Sequence, residues 1–126
     1  MKPLKTLMLT AALALLAAPT VHAAQKVMAS APAYRLTNGE IYCDILNLNP
    51  IPETVNIEIL GYAGNIVLSS GPVTLPPNTG TFLGDTSSNS GAWCKFTVDG
   101  SPKKYRATAI YDNPSPGMYT SAIPAL

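Results

Sequence analysis

The chain has 126 residues, with eight basic and seven acidic side chains, two cysteines and one histidine. This near-neutral balance lacks the basic excess with which proteins bind nucleic acid or anionic membrane surfaces, so neither is expected as a partner. Charged residues make up only 12 % of the chain, so its solubility depends on neutral polar side chains.

Residues 1–23 are typical of a cleaved secretory signal. Lys2 and Lys5 give a positive start, residues 7–18 are an apolar run, and Ala23 ends a Val-His-Ala triplet suited to the signal peptidase. The run of 12 residues is shorter than the ~20 needed to span a bilayer. We therefore expect cleavage after Ala23, no membrane anchor afterwards, and export to the periplasm or exterior of a bacterium. The short signal favours a Gram-negative one.

Cleavage would leave 103 residues, enough for one domain, which we place at 34–126. It would also remove the only histidine, His22, so Ser–His and Cys–His catalysis are excluded. We predict no catalytic residues, no cofactor, no metal site and no enzymatic activity. Two cysteines in an oxidising compartment, Cys43 and Cys94, are expected to pair with each other.

The mature sequence shows strand patterns separated by Gly, Pro and Asn, and no helical period. The small residues at 24–33 predict a flexible lead or an edge segment. The pattern is clearest at 54–60, where Val55, Ile57 and Ile59 alternate with polar residues. The predicted strands are 34–37, 40–48, 54–60, 66–68, 73–75, 79–83, 92–98, 104–111 and 118–123. Seven to nine short strands predict an all-β, antiparallel two-sheet sandwich.

The two cysteines fix which way the strands face. If a Cys43–Cys94 disulfide joins the sheets, both cysteine side chains point inward. Because side chains alternate between the two faces of a strand, the direction of every other residue on these strands follows. Odd-numbered residues of 40–48 and of 104–111 then face the core, as do even-numbered residues of 92–98. Trp93 must therefore face solvent.

A sandwich bridged by Cys43 on its second strand and Cys94 on its sixth resembles the immunoglobulin-like plan. The resemblance covers most of residues 34–112 and points to a generic bacterial immunoglobulin-like or fibronectin type III-like secreted module. The turn residues 99–102 predict that 104–111 is the hairpin partner of 92–98 in one sheet. The sequence departs from the plan at Ala92, where a tyrosine corner would place Tyr, and in lacking Trp on 54–60.

This arrangement predicts a binding surface around Trp93, the only tryptophan. Its expected neighbours on the same sheet face are Glu58, Lys95, Arg106 and Ile110. Aromatic side chains on exposed faces are enriched at binding hot spots and stack on sugars. Tyr42 and Leu46 form a weaker second patch on the opposite sheet.

The leading functional hypothesis is an exported, noncatalytic module that acts by surface contact with a partner protein or within an envelope assembly. One alternative is carbohydrate binding through Trp93 with Tyr62 or Tyr119. Another is inhibition of a secreted hydrolase by a Pro-rich loop, either 49–52 or 76–78. The sequence leaves these three open.

Overall fold

The computed structural model describes residues 24–32, 39–86, 91–112 and 121–125. These residues form one 3-10 turn, Pro102–Lys104, and the strands β1 (Lys26–Ala29), β2 (Glu40–Asn47), β3 (Glu53–Gly61), β4 (Ile66–Leu75), β5 (Gly80–Asp85), β6 (Ala92–Val98), β7 (Tyr105–Asp112) and β8 (Ser121–Pro124). The predicted strand at 34–37 and the start of the one at 118–123 lie outside the described residues. No helix in the described ranges has the length and apolarity to cross a bilayer.

The strands form two antiparallel sheets. Sheet I has the order β1-β6-β3-β4 and sheet II the order β5-β2-β7-β8. A disulfide between Cys43 of β2 and Cys94 of β6 joins the two sheets, with a Cα–Cα distance of 5.6 Å. The predicted all-β fold and its inter-sheet disulfide are therefore confirmed.

Alternation along the central strands fills the space between the sheets. Each of these strands points every second side chain inward, so its apolar residues are buried together. The core consists of Met28, Ile41, Cys43, Ile45, Val55, Ile57, Ile59, Leu75, Ala92, Cys94, Phe96, Val98, Tyr105, Ala107, Ala109 and Tyr111. The predicted parity of 40–48, 92–98 and 104–111 is confirmed by this set.

The predicted hairpin between 92–98 and 104–111 is wrong. β7 pairs with β2 in sheet II, whereas β6 pairs with β1 and β3 in sheet I. The connection, residues 99–104, contains the 3-10 turn instead of a tight hairpin loop. Pro102 has no N–H to give to a ladder, and the longer path lets the chain cross between sheets.

Tyr105 fixes the end of this crossing. Its ring is buried in the core and its hydroxyl donates to the carbonyl oxygen of Asp99 at 2.7 Å. Burial raises the pKa of Tyr105 to about 12, so the hydroxyl remains a donor throughout the neutral range. The buried tyrosine thus has a partner for its polar tip.

Part of the predicted lead is an edge strand. β1 pairs with β6, and its Met28 is buried opposite Phe96. Ser30 ends the pairing on Cys94: its N–H donates to the Cys94 carbonyl (2.9 Å) and its Oγ accepts from the Cys94 N–H (3.0 Å). Residues 26–30 are therefore the edge segment and not the flexible lead. One buried side chain and one serine set this strand, which is too little pattern to predict from sequence.

The predicted strands 66–68 and 73–75 are one strand, β4. Gly71 has a φ of 66°, and the register against β3 shifts between Asn56 and Glu58. A glycine at positive φ lets the strand bend there without ending. The Gly-Pro pair at 71–72 therefore marks an irregularity within a strand.

Candidate functional site

The five residues predicted to form one surface lie on two different faces of the molecule. Trp93 and Lys95 of β6 lie with Glu58 of β3 on the outer face of sheet I. Arg106 and Ile110 of β7 lie on the outer face of sheet II. The two groups of residues are apart because β7 does not lie beside β6, where it is predicted from the sequence.

Trp93 takes part in packing on sheet I. It faces outward as parity predicts, but it is half-buried and its Nε1–H donates to the carbonyl oxygen of Gly61 at 3.2 Å. Its cross-strand neighbour on the same face, Leu60, is only 6 % exposed. An indole held at its polar atom beside a buried leucine presents less free surface to a ligand than an isolated exposed ring.

Glu58 and Lys95 form an ion pair on the same face. Lys95 Nζ lies 2.7 Å from Glu58 Oε2. Glu58 is 8 % exposed, and a carboxylate at that depth needs a charged or hydrogen-bonding partner. The ion pair supplies one, so both charges already serve the packing of this face.

A groove of about 410 Å³ lies on the outer face of sheet II. Its floor is β2, with β5 on one side and β7 on the other. We call it the β2 groove. It is lined by Asp44, Ile45, Leu46, Gly80, Thr81, Phe82, Arg106, Thr108 and Ile110.

Phe82 is the wall of the β2 groove at the edge of the sheet. Its side chain is 65 % exposed. It stands between Gly80 and Gly84, which leave the same face of β5 bare on both sides. Over Gly84 the space is taken by the ring of Tyr42, which packs against Phe82 in an edge-to-face arrangement at a centroid distance of 6.2 Å. Gly80 is exposed and lines the β2 groove.

The ring of Tyr42 is held in place by its hydroxyl. That hydroxyl donates to the Glu40 carboxylate, a hydrogen bond that raises the pKa of Tyr42 together with partial burial. Tyr42 is therefore held over Gly84 and beside Phe82, outside the lining of the β2 groove.

Asp44 is an unpaired carboxylate on the floor of the β2 groove. No described residue donates a hydrogen bond to it or forms an ion pair with it. Arg106 lines the same groove, but its Nη1 donates to the carbonyl oxygens of Tyr105 (2.8 Å) and Lys103 (3.3 Å). Burial raises the pKa of Asp44 above its usual range. The groove thus combines apolar walls with one negative charge that lacks a counterion.

Replacing Asp44 with Asn should stabilise the protein at pH 7. The raised pKa means that the folded state binds the Asp44 proton more tightly than the unfolded state does. The favourable contribution of the protonated side chain is therefore complete below the unfolded pKa, about 3.9, and is lost as the pH rises through the folded pKa. Thermal melts of Asp44→Asn and wild type should differ at pH 7 and converge near pH 3.

The ion-paired acid provides the control for this prediction. Glu58→Gln removes one partner of the Glu58–Lys95 pair and should lower the melting temperature at pH 7. A melting temperature that falls at pH 7 in Asp44→Asn as it does in Glu58→Gln would contradict an unpaired Asp44.

Sequence reasoning missed Phe82 and Asp44 as site residues. The alternation from Cys43 places Tyr42, Asp44 and Leu46 on an outer face, but the weaker second patch predicted from the sequence includes only Tyr42 and Leu46. The missing signal was in β5, where two glycines flank a phenylalanine at the spacing of one strand face. The sequence does not show that β5 pairs with β2, so Phe82 could not be placed beside Asp44 before the fold was known.

Comparisons with known proteins add no relative. No protein-family model matches the chain, and neither curated proteins nor solved structures give a match. Within the described ranges, His, Cys, Asp and Glu side chains form no group of three or more that could hold a metal ion.

Proposed function

We propose that the protein is an exported, noncatalytic module that binds a partner protein through the outer face of sheet II. The observation that carries the proposal is the β2 groove, with Phe82 65 % exposed at its wall. Large exposed aromatic side chains beside a cavity are the usual anchors of protein interfaces.

Export and the lack of catalysis are supported by the chemistry of the cysteines. Both are buried and joined in a disulfide, a bond that persists in oxidising compartments. A bridged cysteine is not a nucleophile, so neither sulfur serves covalent catalysis. This agrees with a periplasmic or extracellular protein that works by contact.

The outer face of sheet II has more of the properties of an interface than the Trp93 face has. It offers an open cavity, an exposed ring and a charge without a partner. On sheet I the indole N–H and the Glu58–Lys95 pair are already engaged within the protein. For this reason we place the binding surface at Phe82 and not at Trp93.

Replacing Phe82 with Ser should strongly weaken partner capture without unfolding the protein. The mature chain would be immobilised, exposed to native envelope extract and analysed by quantitative mass spectrometry. The affinity for a specific partner should fall by about thirtyfold, the loss that corresponds to the roughly 2 kcal/mol of a single hot-spot side chain. The melting temperature should change little because the ring is 65 % exposed.

Ile51→Ser is the matched control. Ile51 is 57 % exposed in the Pro-rich 49–52 loop, away from the β2 groove, and its replacement should leave recovery unchanged. Recovery that depends on Ile51 but not on Phe82 would overturn the proposal in favour of a hydrolase inhibitor acting through that loop. A glycan-array signal lost in a Trp93→Ala variant would instead favour carbohydrate binding on sheet I.

A further inference from the structure

Within the part of the chain that the structure describes, the β5 edge of sheet II has backbone groups that pair with no other strand. Among the described strands, β5 pairs only with β2. The N–H of Asn47 donates to the carbonyl of Thr79 at 2.9 Å. Backbone hydrogen bonds alternate along an antiparallel pair, so the N–H and C=O groups of Thr81 and Leu83 also point toward β2. The N–H and C=O groups of Gly80, Phe82 and Gly84 therefore point away from the sheet.

The other edge strands carry features that discourage pairing. β4 is interrupted by register shifts and contains Pro72, which has no N–H. β1 and β8 have four residues each; β1 begins with Lys26 and β8 ends with Pro124. Short length, bulges, lysine and proline are the common means of protecting a sheet edge. β5 has neither proline nor a basic residue.

Gly80 connects this edge to the β2 groove. It lines the groove together with Leu46 and Phe82. A Cβ atom at Gly80 would lie 2.9 Å from the Ile45 carbonyl oxygen and 3.7 Å from Leu46 Cδ1. β5 and β2 are therefore too close here for any side chain at position 80. Gly80 itself is exposed and lines the groove, so a side chain from a strand added to β5 would meet no side chain at Gly80 on its way toward Leu46 and Asp44.

The charge at the end of that path selects the side chain. Asp44 has no described partner, and Arg106 is held at backbone carbonyls instead of at Asp44. Phe82 and Leu46 on either side suit an aliphatic stem. Lysine and arginine combine such a stem with a cationic head, and an aromatic wall also favours a cation.

We propose that an extended segment of the partner protein adds to β5 as an antiparallel strand and sends a Lys or Arg side chain across Gly80 to Asp44. Main-chain hydrogen bonds to Gly80, Phe82 and Gly84 supply the general affinity, and the basic side chain supplies specificity, as in other strand-addition complexes. This inference rests on the proposed function and names the chemistry of its partner.

The test uses the mature protein and a heptapeptide with blocked ends. The peptide has the sequence Ser-Val-Ser-Lys-Ser-Val-Ser, with lysine at its centre. Binding would be followed by amide NMR and hydrogen exchange. The amides of Gly80, Phe82 and Gly84 should become protected, while those of Thr81 and Leu83, already bonded to β2, should change little. A peptide N-methylated on alternate residues should not bind if the main chain makes the contact.

Changing the charge at position 44 tests whether Asp44 recognises the basic side chain of the added strand. Asp44→Asn should weaken binding of the lysine peptide by about tenfold, as expected for the loss of one desolvated ion pair. Asp44→Lys should lose the lysine peptide and bind the same peptide with glutamate at its centre. Equal affinity of wild type and Asp44→Asn for the lysine peptide would overturn the role of Asp44.

Three outcomes would overturn strand addition itself. They are no binding of the heptapeptide at millimolar concentration, undiminished binding of the N-methylated peptide, and a dimer of the free protein whose β5 amides are already protected. In each case the Phe82→Ser capture experiment still tests the proposed function separately. Capture that depends on Phe82 without strand addition would indicate a partner that binds the β2 groove by side chains alone.

Discussion

Removing the disulfide by replacing both Cys43 and Cys94 with Ala should lower the free energy of unfolding by about 4 kcal/mol. The bridge closes a loop between residues separated by 51 positions, and the chain-entropy model assigns roughly 4 kcal/mol to a loop of that size. Small domains are stable by only about 5–15 kcal/mol. The melting temperature should therefore fall by roughly 15–30 °C.

Urea unfolding followed by tryptophan fluorescence would measure this loss. The chemical control is wild-type protein reduced while unfolded and then refolded under reducing conditions, which should match the double-alanine variant to within about 1 kcal/mol. Because both cysteines are completely buried, reductant should attack the bridge in the native protein only as fast as the protein opens. A double variant with an unchanged urea midpoint would show that the bridge adds nothing to stability.

The fold could be predicted from sequence because its decisive signals are local. Cys43 and Cys94 gave the phase of two strands, and the alternation of Val55, Ile57 and Ile59 gave a third. A side-chain period of two allows only two orientations per strand, so one buried residue fixes all the others. This is why the inward and outward faces were predicted correctly for most of the core.

Strand order was harder to predict because it depends on which connections cross between the sheets. Residues 99–104 contain a Gly and a Pro, which suit either a hairpin or a crossing. The structure has a crossing, and this single difference moved Arg106 and Ile110 to sheet II. The predicted Trp93 surface failed to assemble for this reason, although each residue was correctly assigned to an outer face.

Asn47 is the polar centre that joins the two Pro-rich loops. Its side chain is completely buried. Its Nδ2 donates to the carbonyl oxygens of Leu75 (3.0 Å), Ile51 (3.1 Å) and Pro76 (3.4 Å). Its Oδ1 accepts from the N–H of Asn49 at 2.8 Å. Proline supplies no N–H of its own, so the carbonyls of these loops depend on a side-chain donor.

Replacing Asn47 with Asp should destabilise the protein by about 3–4 kcal/mol at pH 7. The substitution keeps the shape but exchanges the amide donor for a carboxylate that faces carbonyl oxygens. Each buried acceptor left without its donor costs about 1–3 kcal/mol, and an unpaired buried charge adds to this. Urea unfolding would give the loss, and proteolysis in 49–52 or 76–79 would report loosening of the loops.

The pH dependence of Asn47→Asp separates lost donors from altered packing. Burial beside carbonyl oxygens favours the protonated acid, which recovers one O–H donor. The folded-state pKa of the new side chain should therefore lie above the unfolded value of about 3.9, and the loss of stability relative to wild type should shrink as the pH falls below that folded pKa. A loss that is the same at pH 3 and pH 7 would instead indicate a packing defect.

Asn56→Asp is the matched control, since it makes the same chemical change at a half-buried site on β3. Asn56 Oδ1 only accepts, from the hydroxyls of Ser69 (3.3 Å) and Ser70 (3.4 Å), and a carboxylate accepts equally well. Its cost should stay within about 0.5 kcal/mol. If Asn47→Asp costs no more than Asn56→Asp, the two loops are held by their own backbone. If it costs several times more, one buried amide fixes the ends of β2 and β4 and with them the position of β5, on which the β2 groove depends.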